Sequence, residues 1–557
     1  MRQTLDNLSK AAVNRVPLDE VAERLIAAWG DRHSSRPPVY RASLEVARQF
    51  REHCLQNGLL DFSLQIELFM TYLLDEPLYR MFFKERYRHL VVDNLEESFP
   101  VVADFVRWMW DDLESALLVY DSDAGYRLFL GADPLAMHDL TGLCEEVETW
   151  ETPVDAPPAI TALADALAAA LDSGREPPGE SATNPREGFV YAAHKFYPQM
   201  IDWVVDRVVE LVQDGVPPRE IVVIAPLLGD SLRFALMTRL AERHIAAVSH
   251  RPSRAVRDEP VARAVLTLMA LAHPDWDYRP PAMDVADALQ QAIVELDPVR
   301  AWLLAQIVYQ PGRDELGSFD AIRATTQERI TYRAGEKYER LRQWLEEYRP
   351  EAGSIPPDHL LSRLFGELLS QPGYGFHTDL DAGRIVAELV ESARKFRQTL
   401  YPGGMEDWSG VIRDYFELVQ QGLLAALYVA SWRDEEADAV FLAPAYTFLM
   451  RNRRVAFQFW LDVGSNQWWE RLEQPLTHPY VLARNYPRGQ VWTDDMEDVA
   501  RQDALRRLVI GLVRRCHTRV YAAISDLGEQ GYEQRGPLLR VIQQVAQRHP
   551  APEAEKP

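Results

Sequence analysis

The sequence lacks the features that mark exported and membrane-spanning proteins. No apolar run reaches the roughly 18 residues that a helix needs to cross a bilayer. The amino-terminal segment also has no apolar core of the kind that a signal peptide requires. We therefore expect a cytoplasmic protein without a membrane partner.

The sequence also lacks the motifs of metal sites and of phosphate loops. Its three cysteines, Cys54, Cys144 and Cys516, are far apart and form no CxxC pair, so neither a disulfide framework nor a zinc site is indicated. The 13 histidines include no HExxH motif. No segment has the GxxxxGK[ST] spacing, in which backbone amides and a lysine hold nucleotide phosphates. We therefore expect the chain on its own to use no cofactor.

Composition is that of a globular protein, and the overall charge opposes nucleic acid. Hydrophobic residues make up 47% of the 557 residues and charged residues 26%, and a chain of this length holds about three or four domains. The 84 acidic residues outnumber the 60 basic ones, which gives a net charge of -24 and disfavours binding of a phosphate backbone by the molecule as a whole. Basic clusters at residues 84–88 and 451–454 fit either a solvated surface or a nucleic-acid channel.

Short apolar runs rich in β-branched residues predict buried parallel strands. These runs are 89–93, 116–121, 221–225, 439–443, 455–463 and 519–524. Helical spacing dominates residues 1–58 and 275–430, whereas proline, glycine and serine are concentrated around an alanine-rich helix at 151–188. The order predicts an α/β fold with a boundary in the middle and a helical domain inserted into the second α/β domain.

The first predicted strand leads into a segment that carries a family resemblance. The strand HLVVD is followed by NLEES at residues 94–98. This segment resembles motif II of the UvrD/Rep-type superfamily 1 DNA helicases, in which a strand ends in Asp-Glu before an aromatic residue and Gln-Asp-Thr. The resemblance implies that Asp93 keeps the magnesium-binding aspartate and that Asn94 replaces the catalytic glutamate. An asparagine amide cannot deprotonate water, and loss of a general base typically costs ~10² to 10⁴ in rate.

The second predicted strand leads into LLVYDSDAGYRLFLGADP at residues 117–134, which resembles motif III of the same family. The family pattern, Gly-Asp-Pro-Asp-Gln-Ser-Ile-Tyr, any residue, aromatic, Arg-Gly-Ala-Asp, aligns without a gap. Ala124 stands in the place of the γ-phosphate-sensing glutamine, and Arg127 in the place of the tyrosine. The resemblance makes Phe129 and Arg127 candidates for DNA binding, since an aromatic residue that stacks on a single-stranded base contributes ~1 to 3 kcal/mol. Packing of Phe129 under the sheet is the alternative.

Two later segments fit the second motor domain of this family. Residues 219–240 resemble motif IV, with Pro226 in the place of the arginine. Residues 437–465 lie where motif V belongs, and there Pro444 and Tyr446 replace the family's threonine and histidine. Both departures remove polar groups that face nucleotide in the family, while the apolar positions of the strands remain.

A final segment, residues 506–523, resembles motif VI. The resemblance implies that Arg514 is a vestigial transition-state arginine, with Arg515 as the alternative because the spacing differs by one residue. A structural or surface role for this arginine is the competing interpretation. Asp93, Asn94, Ala124 and Arg514 are thus vestigial site residues, and Asp93 is the one candidate ligand for magnesium.

The resemblance implies RecA-like parallel-sheet motor domains, of which the first is incomplete, together with inserted helical domains. The expected segments are 1–58, resembling domain 1B; 59–150, a partial domain 1A; 151–186, a linker; 187–275, the first part of domain 2A; 276–430, an insertion resembling domain 2B; 431–545, the second part of domain 2A; and 546–557, a disordered tail. The portion that would hold the phosphate loop is missing in front of this pattern.

Three functions follow from these observations. The first is a catalytically inactive component of DNA repair or recombination, which binds single-stranded or junction DNA and docks a protein partner. The second is a purely structural protein-interaction module, which the acidic charge favours. The third is an ATP-dependent 3′–5′ helicase that uses magnesium-ATP only when another polypeptide supplies the phosphate loop.

Overall fold

The computed structural model describes the chain as two compact units. The described residues are 2–30, 35–150, 156–172, 183–249, 255–276, 278–401, 403–423, 438–469 and 474–550. Unit 1 combines Met1–His250 with Asp434–Pro557, and unit 2 consists of Arg251–Arg433. The helical segment predicted for 276–430 lies within unit 2.

Helices occupy most of the described chain. Those that precede unit 2 are α1 (Arg2–Asn14), α2 (Val21–Trp29), α3 (Arg36–Gln56), α4 (Phe62–Leu68), α5 (Pro77–Arg86), α6 (Pro100–Met109), α7 (Pro134–His138), α8 (Pro158–Leu171), α9 (Tyr197–Gln213) and α10 (Asp230–Glu242). Unit 2 contains α11 (Pro260–Ala272), α12 (Ala282–Ala292), α13 (Pro298–Val308), α14 (Ala324–Ile330), α15 (Tyr332–Tyr348), α16 (Pro357–Arg363), α17 (Leu380–Leu400) and α18 (Ser409–Gln420). The chain then forms α19 (Ala445–Met450), α20 (Asp494–Arg514) and α21 (Pro537–Arg548).

Unit 1 contains two parallel sheets. The small sheet pairs β1 (His89–Val92) with β2 (Ser115–Leu118). The large sheet has β3 (Phe189–His194), β4 (Ile221–Ala225), β5 (Ala247–Ser249), β6 (Val440–Pro444), β7 (Val455–Trp460) and β8 (Cys516–Ser525). Its strand order is β3-β8-β7-β4-β6-β5, and every neighbouring pair is parallel. The predicted α/β class with parallel sheets is therefore confirmed, although β3 and β5 were not predicted.

The large sheet is covered on both faces. Val222 and Ile224 of β4 pack with α8, α19, α20 and α21, whereas Ile221 and Val223 pack with α9 and α10. All five residues of β4 are buried. This is the usual arrangement for a parallel sheet, whose crossover helices lie on both faces and whose strands are apolar throughout.

Among the described residues, the small sheet is covered on one face only. Leu90, Val92 and Leu118 pack against α6 and α7. The alternate positions on the other face, which include Val91 and Leu117, are exposed. The pleat explains the difference, because successive side chains of a strand point to opposite faces.

Helix α20 has strong signals at both ends. The hydroxyl of Thr493 accepts a hydrogen bond from the amide of Met496, and Asp494, Asp495 and Glu497 lie in the first turn. Arg514 lies in the last turn, where a cation interacts favourably with the helix dipole. These signals set the start and the end of α20. They thereby fix the positions of the arginines in its carboxyl-terminal half, which contact the loop after β2.

Unit 2 is built from helices around its own core. In its described residues no β-strand is present, and one isolated bridge pairs Ile293 with Tyr374. At the centre, His273 stacks on Trp276 with ring centroids 4.3 Å apart, and its ring lies 3.1 Å from the Tyr348 hydroxyl. Burial lowers the pKa of His273, so this histidine is a neutral core residue.

Two predicted segments lie partly outside the described residues, and α8 corresponds to the predicted alanine-rich helix. The region predicted as a linker, 151–186, includes α8, whose apolar side chains are buried against the large sheet; its residues 151–155 and 173–182 lie outside the described residues. The predicted tail, 546–557, includes the end of α21, and its residues 551–557 lie outside the described residues. In the part of the chain that is described, no helix is both long and apolar enough to span a bilayer.

Candidate functional site

Asp93 and Asn94 follow β1 at the carboxyl edge of the small sheet. The Asp93 carboxylate accepts a hydrogen bond from the backbone amide of Asn94 at 2.8 Å. Asn94 has a φ of 53°, in the left-handed region, which asparagine adopts more readily than most residues. The turn thus gives Asn94 a conformational role and uses one carboxylate oxygen of Asp93.

Glu97 holds the loop that follows β2. One carboxylate oxygen accepts the amides of Gly125 and Tyr126 at 3.0 and 2.7 Å, and the other accepts the amide of Arg127 at 2.8 Å. These amides begin the short helical turn Tyr126–Leu130, where an acceptor satisfies groups that have no partner within the turn. Charge-assisted bonds of this kind are about twice as strong as neutral ones, so Glu97 is the main anchor of the loop.

Glu96 is buried beneath the same loop. Its side chain is almost fully inaccessible and accepts the amide of Asp121 at 3.0 Å. Burial raises the pKa of Glu96 to about 7, and the nearby carboxylates of Asp121 and Glu97 add to the shift, while hydrogen bonds from backbone amides oppose it. A buried carboxyl with a raised pKa carries a proton in part of the physiological range.

Two aspartates of this loop are paired with arginines of α20. Asp123 contacts Arg514 at 2.6 Å and Arg506 at 3.0 Å. The second amino group of Arg514 lies 3.5 Å from Asp121. Asp123 is therefore bound by two guanidinium groups in a partly buried setting, where an ion pair is screened less than at the surface.

The next residues of the loop also contact α20. The backbone carbonyl of Ala124 accepts a hydrogen bond from Arg507. The guanidinium of Arg515 lies 5.2 Å from the ring centroid of Tyr126 and contacts its hydroxyl at 3.3 Å. A Cβ atom at Gly511 would lie 2.5 Å from the same ring, so the absence of a side chain at this point of α20 permits the close approach.

Phe129 and Arg127 lie at the outer end of the loop. The Phe129 ring is 37% exposed and packs edge-on against Tyr446, with centroids 5.5 Å apart. Arg127 is exposed, and its Nε lies 3.5 Å from the sulfur of Met450. One part of the Phe129 ring therefore packs against α19, as expected of a packing residue. The rest of the ring stays accessible, as stacking on a base would require.

The structure brings most of the predicted site residues to one loop and one helix. Ala124, Arg127 and Phe129 lie on the loop after β2, and Arg514 contacts that loop from α20. Asp93 lies in the turn after the neighbouring strand. Arg515, the alternative to Arg514, makes separate contacts with Tyr126 and with Asn452 at 2.9 Å.

The arginine and the aspartate that the resemblance assigns to magnesium-ATP are already engaged within the protein. The arginine that would face a phosphate, Arg514, is neutralised by Asp121 and Asp123. Asp93 is committed in part to its own turn, and across the described residues no group of three or more His, Cys, Asp or Glu side chains is placed to hold a metal ion.

The chain can be compared with family models and with curated proteins. No family model matches the chain, and no curated protein does. The resemblance to UvrD/Rep-type helicases therefore rests on the motif segments of the sequence alone.

Sequence reasoning missed the roles of Glu96, Glu97 and the arginines Arg506 and Arg507. Two adjacent glutamates after a predicted strand were visible in the sequence, but the backbone amides from which they accept hydrogen bonds lie some 25 to 30 residues further along the chain. A second buried carboxyl was also missed: Asp462, after β7, accepts the hydroxyl of Tyr197 at 3.0 Å. Burial raises the pKa of Asp462 to about 6.

Proposed function

We propose that this protein is a catalytically inactive relative of the UvrD/Rep-type helicases that acts in DNA repair or recombination as a DNA-binding or partner-docking component. The observation that carries the proposal is the pairing of Asp123 with Arg514 and Arg506. In an ATP-hydrolysing motor, such an arginine would have to be available to the transferred phosphate. Here Arg514 instead joins α20 to the loop after β2 through Asp121 and Asp123.

The proposed RecA-like character has support from placement. The motif II-like and motif III-like segments follow β1 and β2 at the same edge of a parallel sheet, and ligands of open α/β sheets bind at the carboxyl ends of the strands. The motif VI-like segment forms the end of α20 and β8. Contacts between the end of α20 and the loop after β2 bring the motif VI-like and motif III-like segments together, which supports the proposal.

The DNA-binding part of the proposal can be tested by substituting Phe129. Phe129→Ala should weaken binding of a labelled oligo-dT strand by roughly 5- to 150-fold, because a base stack contributes ~1 to 3 kcal/mol. Fluorescence anisotropy over a salt series measures this. Phe234→Ala is the matched control, since Phe234 is also exposed but lies on α10.

The salt dependence separates two of the candidate functions. Arg127→Ala should reduce the slope of log affinity against log salt by roughly 0.7, because one phosphate contact is lost. Phe129→Ala should leave that slope unchanged. If the wild-type protein shows no salt-dependent binding at all, the purely structural interaction module, which the net charge of -24 favours, replaces the DNA-binding proposal.

ATP hydrolysis tests the claim of inactivity. We expect no turnover by the purified chain with or without DNA, because Asn94 cannot act as a general base. Turnover that Asp93→Ala abolishes would contradict the proposal. It would support the remaining alternative, a helicase that another polypeptide completes with a phosphate loop.

A further inference from the structure

The carboxyl edge of the large sheet contains a point at which two neighbouring strands send the chain to opposite faces. After β3 the chain enters α9, which packs on one face, and after β8 it enters α21, which packs on the other. β3 and β8 lie next to each other in the sheet. In open parallel sheets, ligands bind in the crevice at such a point. This edge is therefore the place in the large sheet to look for a ligand site.

Polar side chains end the strands on both sides of this point. His194 is the last residue of β3 and Ser525 the last of β8, and the register pairs them directly. Their side chains share one face, and the His194 ring contacts Trp203 of α9, so this is the face that α9 covers. Asp462, just after β7, accepts a hydrogen bond from the hydroxyl of Tyr197 in the first turn of α9. Three neighbouring strands thus place an imidazole, a hydroxyl and a carboxylate beside the start of α9.

The carboxylate of Asp462 is buried without a cation. Asp462 is 8% exposed, and among the described residues no Lys or Arg side chain is paired with it. One carboxylate oxygen accepts the Tyr197 hydroxyl, while Oδ1 has no hydrogen-bond partner. The carboxylate of Glu529 adds to the negative potential around it. Since buried carboxylates are otherwise paired or coordinate metal ions, Asp462 has the character of a cation ligand.

Further buried atoms beside Asp462 have no hydrogen-bond partner within the described part of the chain. They are Oγ of Ser525, which is fully buried, Nε2 of His194 and Oε1 of Gln534. The Gln534 side chain packs against the turn after Asp462, where a Cβ atom at Gly464 would lie 2.9 Å from the Cβ of Gln534. Buried polar atoms without partners are rare and costly. All of these atoms have a lone pair that a metal ion can use.

The donor atoms select a class of cation. One carboxylate, two neutral oxygens and one imidazole nitrogen suit a hard divalent ion of the magnesium and manganese class, which binds oxygen and keeps several water ligands. Only Asp462 and His194 are of the His, Cys, Asp and Glu types, which is too few for a structural zinc site with four protein ligands.

We propose that a divalent cation of the magnesium and manganese class binds at this edge of the large sheet. Its protein ligands are Asp462, Ser525, His194 and Gln534. The cation neutralises the buried carboxylate and joins the ends of β3, β8 and β7. This site lies in a different sheet from Asp93, to which the helicase resemblance assigns magnesium. The proposal does not depend on whether the protein binds DNA or nucleotide.

The experiment titrates the whole chain with manganese alone. Electron paramagnetic resonance measures the free ion, and we expect binding with a Kd of about 10⁻⁴ to 10⁻³ M, as in weak carboxylate sites. Asp462→Asn keeps the shape of the side chain and should weaken binding by at least about tenfold. Asp358→Asn is the matched control, because Asp358 is 3% exposed but is already paired with Arg397.

Hydrogen exchange of the wild-type protein keeps the test independent of whether Asp462→Asn folds. A manganese concentration of about ten times Kd should slow exchange roughly tenfold wherever opening releases the ion. We expect this protection in residues 194–199, 462–465 and 525–536. Residues 89–97, around Asp93, should show none.

Three results would overturn the proposal. The first is the absence of manganese binding in the stated range. The second is equal binding by the wild type, Asp462→Asn and Asp358→Asn. The third is binding that Asp93→Ala weakens, with protection of residues 89–97, because the cation would then lie at the motif II-like segment.

Discussion

The large and small sheets of unit 1 are built from similar strands, yet only one of them is enclosed. β4 and β1 are both short, apolar and parallel to their neighbours. β4 is buried on both faces between two layers of helices, whereas β1 alternates between exposed and half-buried residues. The difference therefore lies in what surrounds the strands rather than in the strands themselves.

The comparison also separates stability from function. The two faces of the large sheet supply the main apolar cores of unit 1, which burial of apolar area stabilises. The small sheet instead carries the turns and loops that hold the candidate site, and polar contacts with α20 anchor these loops. Substitutions in the two sheets should consequently have effects of different size and kind.

The largest expected effect lies in the large sheet. Trp460→Ala should lower the free energy of unfolding by about 3 to 5 kcal/mol, because Trp460 is fully buried and the substitution leaves a large cavity. Val91→Ala, on the exposed face of the small sheet, should change it by less than about 0.5 kcal/mol. Urea denaturation followed by circular dichroism measures both. Equal losses in the two variants would show that the sheets do not differ in enclosure.

The next effect concerns the connection between the loop after β2 and α20. Asp123→Ala should lower the free energy of unfolding by about 1.5 to 3 kcal/mol, since it leaves Arg506 and Arg514 without their shared carboxylate. Asp202→Ala is the control, because Asp202 forms an exposed pair with Arg239, and it should cost less than about 1 kcal/mol.

A double-mutant cycle sharpens this result. If Asp123 and Arg514 interact as the 2.6 Å contact indicates, the losses for Asp123→Ala and Arg514→Ala should not add, and the coupling should be at least about 0.5 kcal/mol. Additive losses would mean that the contact does not stabilise the protein. The proposal that Arg514 serves as a structural residue would then lose its basis.

The sequence predicted the strands of the large sheet wherever burial on both faces made the pattern continuous. Runs such as 221–225 and 439–443 contain only apolar residues, whereas exposed segments contain polar ones, so these runs were recognised as buried strands. β3 was missed because its alanines and His194 interrupt that pattern, and β5 because three residues are too few to show one. Helical spacing of apolar residues predicted the helices of 1–58 and 275–430, whereas α6, α20 and α21 were not predicted.

The candidate site was predictable only in part for a different physical reason. The positions of Asp93, Asn94 and the loop after β2 follow from local sequence, because each comes directly after an apolar strand. The partner of Asp123 lies 391 residues away in Arg514. No periodicity of a single sequence indicates which arginine of α20 meets which aspartate. The ion pairs between the loop after β2 and α20 could therefore be identified only from the three-dimensional structure.

A pH dependence of stability is expected at Glu96, behind the small sheet. Its folded pKa of about 7 lies above the ordinary value of 4.5, so the folded state binds the proton more tightly. The stability that this group contributes is fully present below pH 4.5 and is lost as the pH rises through 7. Glu96→Gln, which keeps an acceptor for the Asp121 amide, removes this loss. Relative to the wild type, the variant should therefore gain about 3 kcal/mol between pH 4.5 and pH 8.

Glu339 in unit 2 provides a control of opposite sign. Burial tends to raise its pKa, but hydrogen bonds from Ser318, Arg342 and the Phe319 amide lower it overall. Its contribution to stability is therefore present above its unfolded pKa and is lost as the pH falls, so Glu339→Gln should lose stability relative to the wild type as the pH rises. Thermal unfolding across this pH range measures both variants. As the pH rises, the stabilities of Glu96→Gln and Glu339→Gln relative to the wild type should change in opposite directions. A change in the same direction would mean that burial does not raise the pKa of Glu96. The contrast between the lightly covered small sheet and the buried carboxyl behind it would then fail.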